Sequence, residues 1–132
     1  MAGIAFAAGL KEPLIGVLAS ALAVWPSMAS AACAPAHGAV VFKKCVACHA
    51  VDGPKHGAGP SLAGVVGRRS GAAPGFKYSP TLRDLNIVWT PASLDQFLIG
   101  PQAYAKGTRM AFSGLRDPQA RADLICFLQS KS

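Results

Sequence analysis

Five consecutive residues, Cys45-Val46-Ala47-Cys48-His49, carry the strongest chemical signal in the chain. Two thiols two residues apart can form a redox disulfide, share a zinc ion, or add to the two vinyl groups of one porphyrin. A thioredoxin-type pair needs a strand–helix–strand context, and the flanking residues do not read as strands. A structural zinc site needs four ligands. The remaining Cys33, Cys126, His37 and His56 stand at no familiar zinc spacing. A histidine directly after the second cysteine fits the third chemistry, since thiols one helical turn apart can bond a porphyrin while the imidazole reaches its iron. The spacing predicts one covalent haem c, attached at Cys45 and Cys48, with His49 as proximal iron ligand.

The iron needs a sixth ligand. Met1 and Met28 lie near the start of the chain, which leaves Met110. A lone methionine is ordinarily a filler of core gaps. Met110 instead sits in Lys106-Gly107-Thr108-Arg109-Met110-Ala111-Phe112-Ser113-Gly114, a polar, glycine-bounded stretch without periodicity. That setting predicts a thioether ligand, making His49 and Met110 the metal-binding pair. Such ligation raises the potential and closes the iron to dioxygen and peroxide. It points to one-electron transfer, with no catalytic residues and no enzyme activity. A haem peroxidase or a cytochrome subunit of a dehydrogenase would need an open iron position and an acid–base group. No histidine or carboxylate lies near Met110 before Asp117.

The elements that must position these residues are helices. The apolar-then-basic stretch 37–44 predicts a first helix leading into the cysteines. Thr90 caps a second, with Pro91 at its first position and Gly100 at its end. Asp117-Pro118 opens a third, whose Ala120, Leu124, Phe127 and Leu128 follow the spacing of one buried face. Residues 50–89 are rich in Gly and Pro and lack strand alternation, so they read as extended loops around something rigid. The fold class is all-α: three main helices plus long loops wrapped around one covalent haem.

Residues 1–31 differ in composition. Lys11 and Glu12 are their side-chain charges, 14–25 is nearly unbroken apolar, and Ala29-Ser30-Ala31 follows. This reads as a secretory signal peptide cleaved after Ala31, leaving 32–132 as one domain in the periplasm. The alternative is an uncleaved membrane anchor, for which the run is short of the roughly 20 residues a span needs. A lipoprotein start at Cys33 is weaker, because Ser30 stands where a large aliphatic is expected. Lys11 and Glu12 cancel, so the whole net charge of +7 falls on the domain. Such an excess steers association with an acidic partner. The basic residues form no run longer than a pair and have no interleaved aromatics, which argues against nucleic acid.

The ordered motifs resemble class I c-type cytochromes, close to mitochondrial cytochrome c and the small soluble bacterial carriers. The resemblance covers nearly all of 37–129. It rests on 45–49, Gly57-Ala58-Gly59-Pro60-Ser61-Leu62, Gly67-Arg68-Arg69-Ser70-Gly71, Ala73-Pro74-Gly75-Phe76-Lys77-Tyr78-Ser79, Ile87-Val88-Trp89, Gly107-Thr108-Arg109-Met110 and Arg121-Ala122-Asp123-Leu124-Ile125. It implies that the Pro60 carbonyl holds the His49 ring N–H. It also implies that Arg68, Tyr78 and Trp89 surround one haem propionate and that Thr108 bonds the other. His56 would tie two loops together, and Phe112 would cover the haem edge. The first and last helices would cross at Gly38, against Leu124 and Phe127.

Three positions depart from the resembled pattern. Phe97 lacks the hydroxyl that often bonds the methionine sulfur. Leu82 replaces a polar residue. Lys106 replaces a proline that stiffens the methionine loop, which predicts a loop more easily opened. The implied helix crossing brings Cys33 and Cys126 into one neighbourhood. Export permits a disulfide between them, and a buried Cys126 thiol beside a frayed Cys33 is the alternative. The implied function is a monomeric electron shuttle. It would take electrons from a membrane cytochrome bc-type complex and pass them to a terminal oxidase or photosynthetic reaction centre. Lys43, Lys44, Lys55, Arg109 and Arg116 would form much of its docking ring.

Overall fold

The computed structural model describes residues 32–131, together with Gly3 and Gly9. The signal reading of 1–31 therefore lies outside the described residues. Among the described residues five helices follow one another: α1 Pro35–Phe42, α2 Pro80–Asp84, α3 Pro91–Ile99, α4 Pro101–Tyr104 and α5 Pro118–Gln129. Each opens on a proline, whose fixed φ suits the first turn and whose missing N–H costs nothing there. Side chains cap three of them. Ser79 accepts from the Leu82 N–H, Thr90 forms a capping box with Ser93, and Asp117 accepts from the Gln119 N–H.

The three longest helices are those expected from the sequence. The first starts at Pro35 and ends at Phe42, two residues earlier at each end than the apolar pattern suggested. The loop reading of 50–89 missed α2, and α4 was also not foreseen. Both are too short to show periodicity. The rest of 50–89 is loop, with one isolated antiparallel bridge between Arg69 and Val88. Around that bridge Trp89 N–H donates to the Arg68 carbonyl at 2.8 Å, which sets Arg68 and Trp89 side by side.

Helix α1 crosses α5 backbone to backbone. A Cβ on Gly38 would lie 2.0 Å from the Asp123 carbonyl oxygen and 2.7 Å from the Phe127 Cβ. Glycine is the residue that permits this approach. Beside the contact, the Phe42 and Phe127 rings stand 5.5 Å apart. Leu124 and Leu128 of α5 join Leu94, Phe97 and Leu98 of α3 in the core. Arg121 is buried yet satisfied: its Nε donates to Asp95 at 2.6 Å, and Nη1 donates to the Leu115 and Arg116 carbonyls.

A second set of ties fixes the segment before α1. Cys33 and Cys126 form a disulfide with Cα atoms 6.1 Å apart, which decides between the two expectations for this pair. Next to it, the buried Asp123 carboxylate accepts from Ala34 N–H at 2.7 Å, His37 Nδ1 at 2.6 Å and Gln119 Nε2 at 2.9 Å.

The Ala34 N–H holds the Asp123 carboxyl below the ordinary carboxylate range, with His37 adding to the effect. A carboxylate depressed in the folded state adds stability above its unfolded pKa and loses it as pH falls through the lower folded value. Wild-type stability, read as a guanidinium midpoint, should therefore fall below about pH 4 and draw closer to that of Asp123→Asn as the pH is lowered further. Parallel curves for the two proteins would contradict this role.

Candidate haem site

The residues singled out by the sequence converge on one cavity of about 620 Å³. That volume lies inside the roughly 300–1,000 Å³ typical of cofactor and ligand sites. Cys45, Cys48, His49, Pro60, Arg68, Tyr78, Trp89, Thr108 and Met110 all line it. Its apolar walls come from the helices, through Phe42, Leu94, Leu98, Leu124 and Leu128.

The wall bearing the cysteines continues directly from α1. After Phe42 the chain tightens into i+3 bonds: Lys43 N–H to Val40, Lys44 N–H to Val41 and Cys45 N–H to Phe42. The Cys45 carbonyl then accepts from both Cys48 N–H at 3.1 Å and His49 N–H at 2.9 Å. This single turn puts both thiols on the cavity and sends the imidazole in after them. Neither thiol takes part in the disulfide; Cys45 is half-buried and Cys48 is exposed. Burial pushes the Cys45 thiol up from its ordinary range, opposed in part by Lys44.

His49 is held by its surroundings. Its Nδ1 lies 2.7 Å from the Pro60 carbonyl, which can only accept, so Nδ1 carries the proton. The lone pair is left on Nε2, the arrangement a metal ligand needs. Burial also lowers the pKa of the ring, favouring the neutral form. The ring packs against Gly59, where a Cβ would meet Cε1 at 2.3 Å and Nδ1 at 2.7 Å. Sequence reasoning gave Gly59 no role of its own, since only the tertiary contact reveals one.

The polar groups on the opposite rim suit an anion. Arg68 Nη1 donates to Ala63 O at 3.0 Å and Nη2 to Ser61 O at 2.8 Å. Its buried Nε has no hydrogen-bond partner among the described residues. A buried donor of this kind carries a cost unless an acceptor meets it. The Tyr78 hydroxyl accepts from Ala73 N–H at 3.3 Å, and the Thr108 hydroxyl accepts from Met110 N–H at 3.3 Å. Each keeps its own O–H hydrogen for a further acceptor. The residues thus fit a porphyrin: an apolar slot, two thiols, an imidazole with a free Nε2, a thioether, and donors where carboxylates would sit.

Other expected placements also appear. His56 Nε2 donates to the Pro74 carbonyl at 2.8 Å, and Nδ1 accepts from Ser61 N–H at 3.0 Å. Both ring nitrogens are used, so His56 ties two loops together and ligates nothing. Phe97 packs between Trp89 and Tyr104, with ring centroids 5.0 and 5.8 Å away. Phe112 and Leu82 line the cavity. Among the basic residues expected to dock a partner, Lys44 and Arg109 reach the cavity wall, as does Lys77. Lys43, Lys55 and Arg116 are exposed away from it.

The Cytochrome c family pattern matches residues 35–132. The chain belongs to the cytochrome c family. It is similar to cytochrome c2 from Rhodomicrobium vannielii, at 44% identity over 124 residues, 92% of this chain and 98% of that protein. Cytochrome c-550 from Ancylobacter novellus is 45% identical over 100 residues, 73% of this chain and 94% of its own length. Among solved structures, cytochrome cH from Methylobacterium extorquens superposes with a TM-score of 0.71 at 38% identity, covering 74% of this chain and 99% of that one. This cytochrome is a class I electron carrier of the cytochrome c fold, and its cofactor is one covalent haem c.

Gly59→Ala should displace the His49 ring and lower the stability of the haem-loaded protein by about 1–3 kcal/mol, the usual cost of overpacking. Guanidinium unfolding followed in the Soret band would measure this. A change under about 0.5 kcal/mol would show that the proximal wall is soft at this point.

Proposed function

We propose that this cytochrome is a monomeric periplasmic one-electron carrier between a membrane cytochrome bc-type complex and a terminal oxidase or photosynthetic reaction centre. The observation that carries the reading is the convergence of Cys45, Cys48, His49 and Met110 on one apolar cavity. Bound there, a haem supplies reversible one-electron chemistry at iron. Cys45 and Cys48 hold its edge as thioethers. His49 Nε2 and the Met110 sulfur would hold the iron, and two protein ligands would leave no place for a substrate, so no catalytic role is assigned. The Pro60 carbonyl fixes the His49 ring and keeps Nε2 aimed at the iron. Arg68, Tyr78 and Trp89 would hold one propionate, and Thr108 would hold the other.

Export through cleavage after Ala31 places this domain in the compartment where a Cys33–Cys126 bridge is stable. Among the described residues no helix is long and apolar enough to cross a membrane. Cys48 and Val46 are exposed where the attachment turn meets solvent, so electrons enter and leave across that edge. Lys44, Lys77 and Arg109 are exposed and line the cavity, and Lys43 and Lys55 are exposed outside it. Their field accelerates encounter with an acidic partner without requiring a tight complex.

The second-order rate of oxidation by oxidase-bearing membranes should fall at least several-fold as ionic strength rises from about 0.01 to 0.15 M, where the screening length shortens from about 30 to 8 Å. A rate indifferent to salt would remove the docking role of the basic rim.

A further inference from the structure

We propose that Gln102 is the positioning residue for the Met110 ligand, its side-chain amide clamping the methionine loop onto α4 so that the sulfur stays at the iron. The inference rests on the reading of Met110 as an axial ligand given above.

Gln102 is the second residue of α4 and follows Pro101, which is fully buried. The clamp therefore stands on a fixed base. From there Nε2 donates to the Thr108 carbonyl at 2.7 Å and to the Met110 carbonyl at 3.1 Å. A glutamine NH₂ offers two hydrogens, and here each has one acceptor. Both neighbours can only accept, so the orientation of the amide follows from them. The two carbonyls belong to the 108–109 and 110–111 peptide groups, so one side chain spans the stretch that carries Met110.

Two other side chains act beside Met110 and not on it. Thr81 Oγ1 donates to the Lys106 carbonyl at 2.9 Å, and the Arg109 guanidinium donates to the Lys77 carbonyl. These hold the flanks of the loop. Thr108 Oγ1 meets Met110 N–H from within the loop itself. Among the described residues, Gln102 is the side chain from another element that bonds the backbone of Met110. Residues 108–111 have no regular secondary structure, and Gly107 precedes them at φ +94°. Position 106 is a lysine, so no proline ring limits the turn. Stiffness must come from hydrogen bonds, and Gln102 adds two from α4 to the bonds that Met110 makes within the loop, its N–H to Thr108 Oγ1 and its carbonyl from Phe112 N–H.

The test uses the ferric haem-loaded protein and imidazole. At saturating imidazole the rate of Met110 displacement reaches a plateau set by loop opening. Gln102→Glu keeps the shape, removes both donors and sets a carboxylate against two carbonyls. The plateau rate should rise about five- to tenfold, the equilibrium worth of one to two ordinary net hydrogen bonds. Gln102→Arg, which restores donors, should recover most of the loss. The global guanidinium midpoint, read by tryptophan fluorescence, should move little in either variant. A plateau within about twofold of wild type in Gln102→Glu, or an increase matched by an equal loss of global stability, overturns the proposal. Should the variants not accumulate, proton exchange of the Gln102 amide in the wild-type protein decides. Exchange slowed relative to a free amide supports the clamp, and exchange as fast as a free amide overturns it. Absence of the weak near-infrared Met–iron band from the wild-type protein would overturn the ligand reading instead.

Discussion

Four of the five helices turn apolar side chains toward the same cavity: Phe42 from α1, Leu82 from α2, Leu94 and Leu98 from α3, and Leu124 and Leu128 from α5. That shared wall is the constraint on which the structure depends. A domain of about 100 residues buries a modest share of its surface and has little core to spare. Here the core residues are arranged around the cofactor site, so haem binding and packing are one problem. Trp89 shows this clearly, because its ring touches Phe97 on one side and faces the cavity on the other.

The two sides of the site are held by different means. On the proximal side the attachment turn grows out of α1, and α1 is locked to α5. Gly38 brings the backbones together, the Cys33–Cys126 bridge ties the segment before α1 to α5, and Asp123 gathers three donors. His49 is then trapped between Gly59 and the Pro60 carbonyl. On the methionine side Met110 itself lies in no helix, and among the described residues no disulfide joins its loop to the rest of the domain. A loop is held from its flanks by Thr81 and Arg109 and from α4 by Gln102. A carrier needs its iron geometry to change little between oxidation states, so these hydrogen bonds carry functional weight beyond their individual strength.

Much of this was legible in the sequence, for local reasons. The cysteine spacing, the adjacent histidine and the caps Thr90 and Asp117 act within one or two turns, so residue types alone reveal them. The family resemblance added the partners that lie far apart in the chain, such as Pro60 for His49. Short elements escaped. Helices α2 and α4 are too brief for a periodic pattern, although Ser79-Pro80 and Gly100-Pro101 begin them with the same proline-led start as the longer helices. The roles of Gly59 and Gln102 could not be read because each depends on what the fold brings opposite it. The pairing of Cys33 with Cys126 was open for the same reason, since 93 positions separate them.

The central claim is that one covalently bound haem is held between His49 and the sulfur of Met110. The proton NMR spectrum of the reduced protein tests it most directly, because a methyl group fixed over the haem face is shifted far upfield by the ring current. The account expects one three-proton line well outside the ordinary methyl region, absent from Met110→Leu. A reduced, haem-loaded wild-type protein without that line, or one that keeps it after the substitution, would contradict the account.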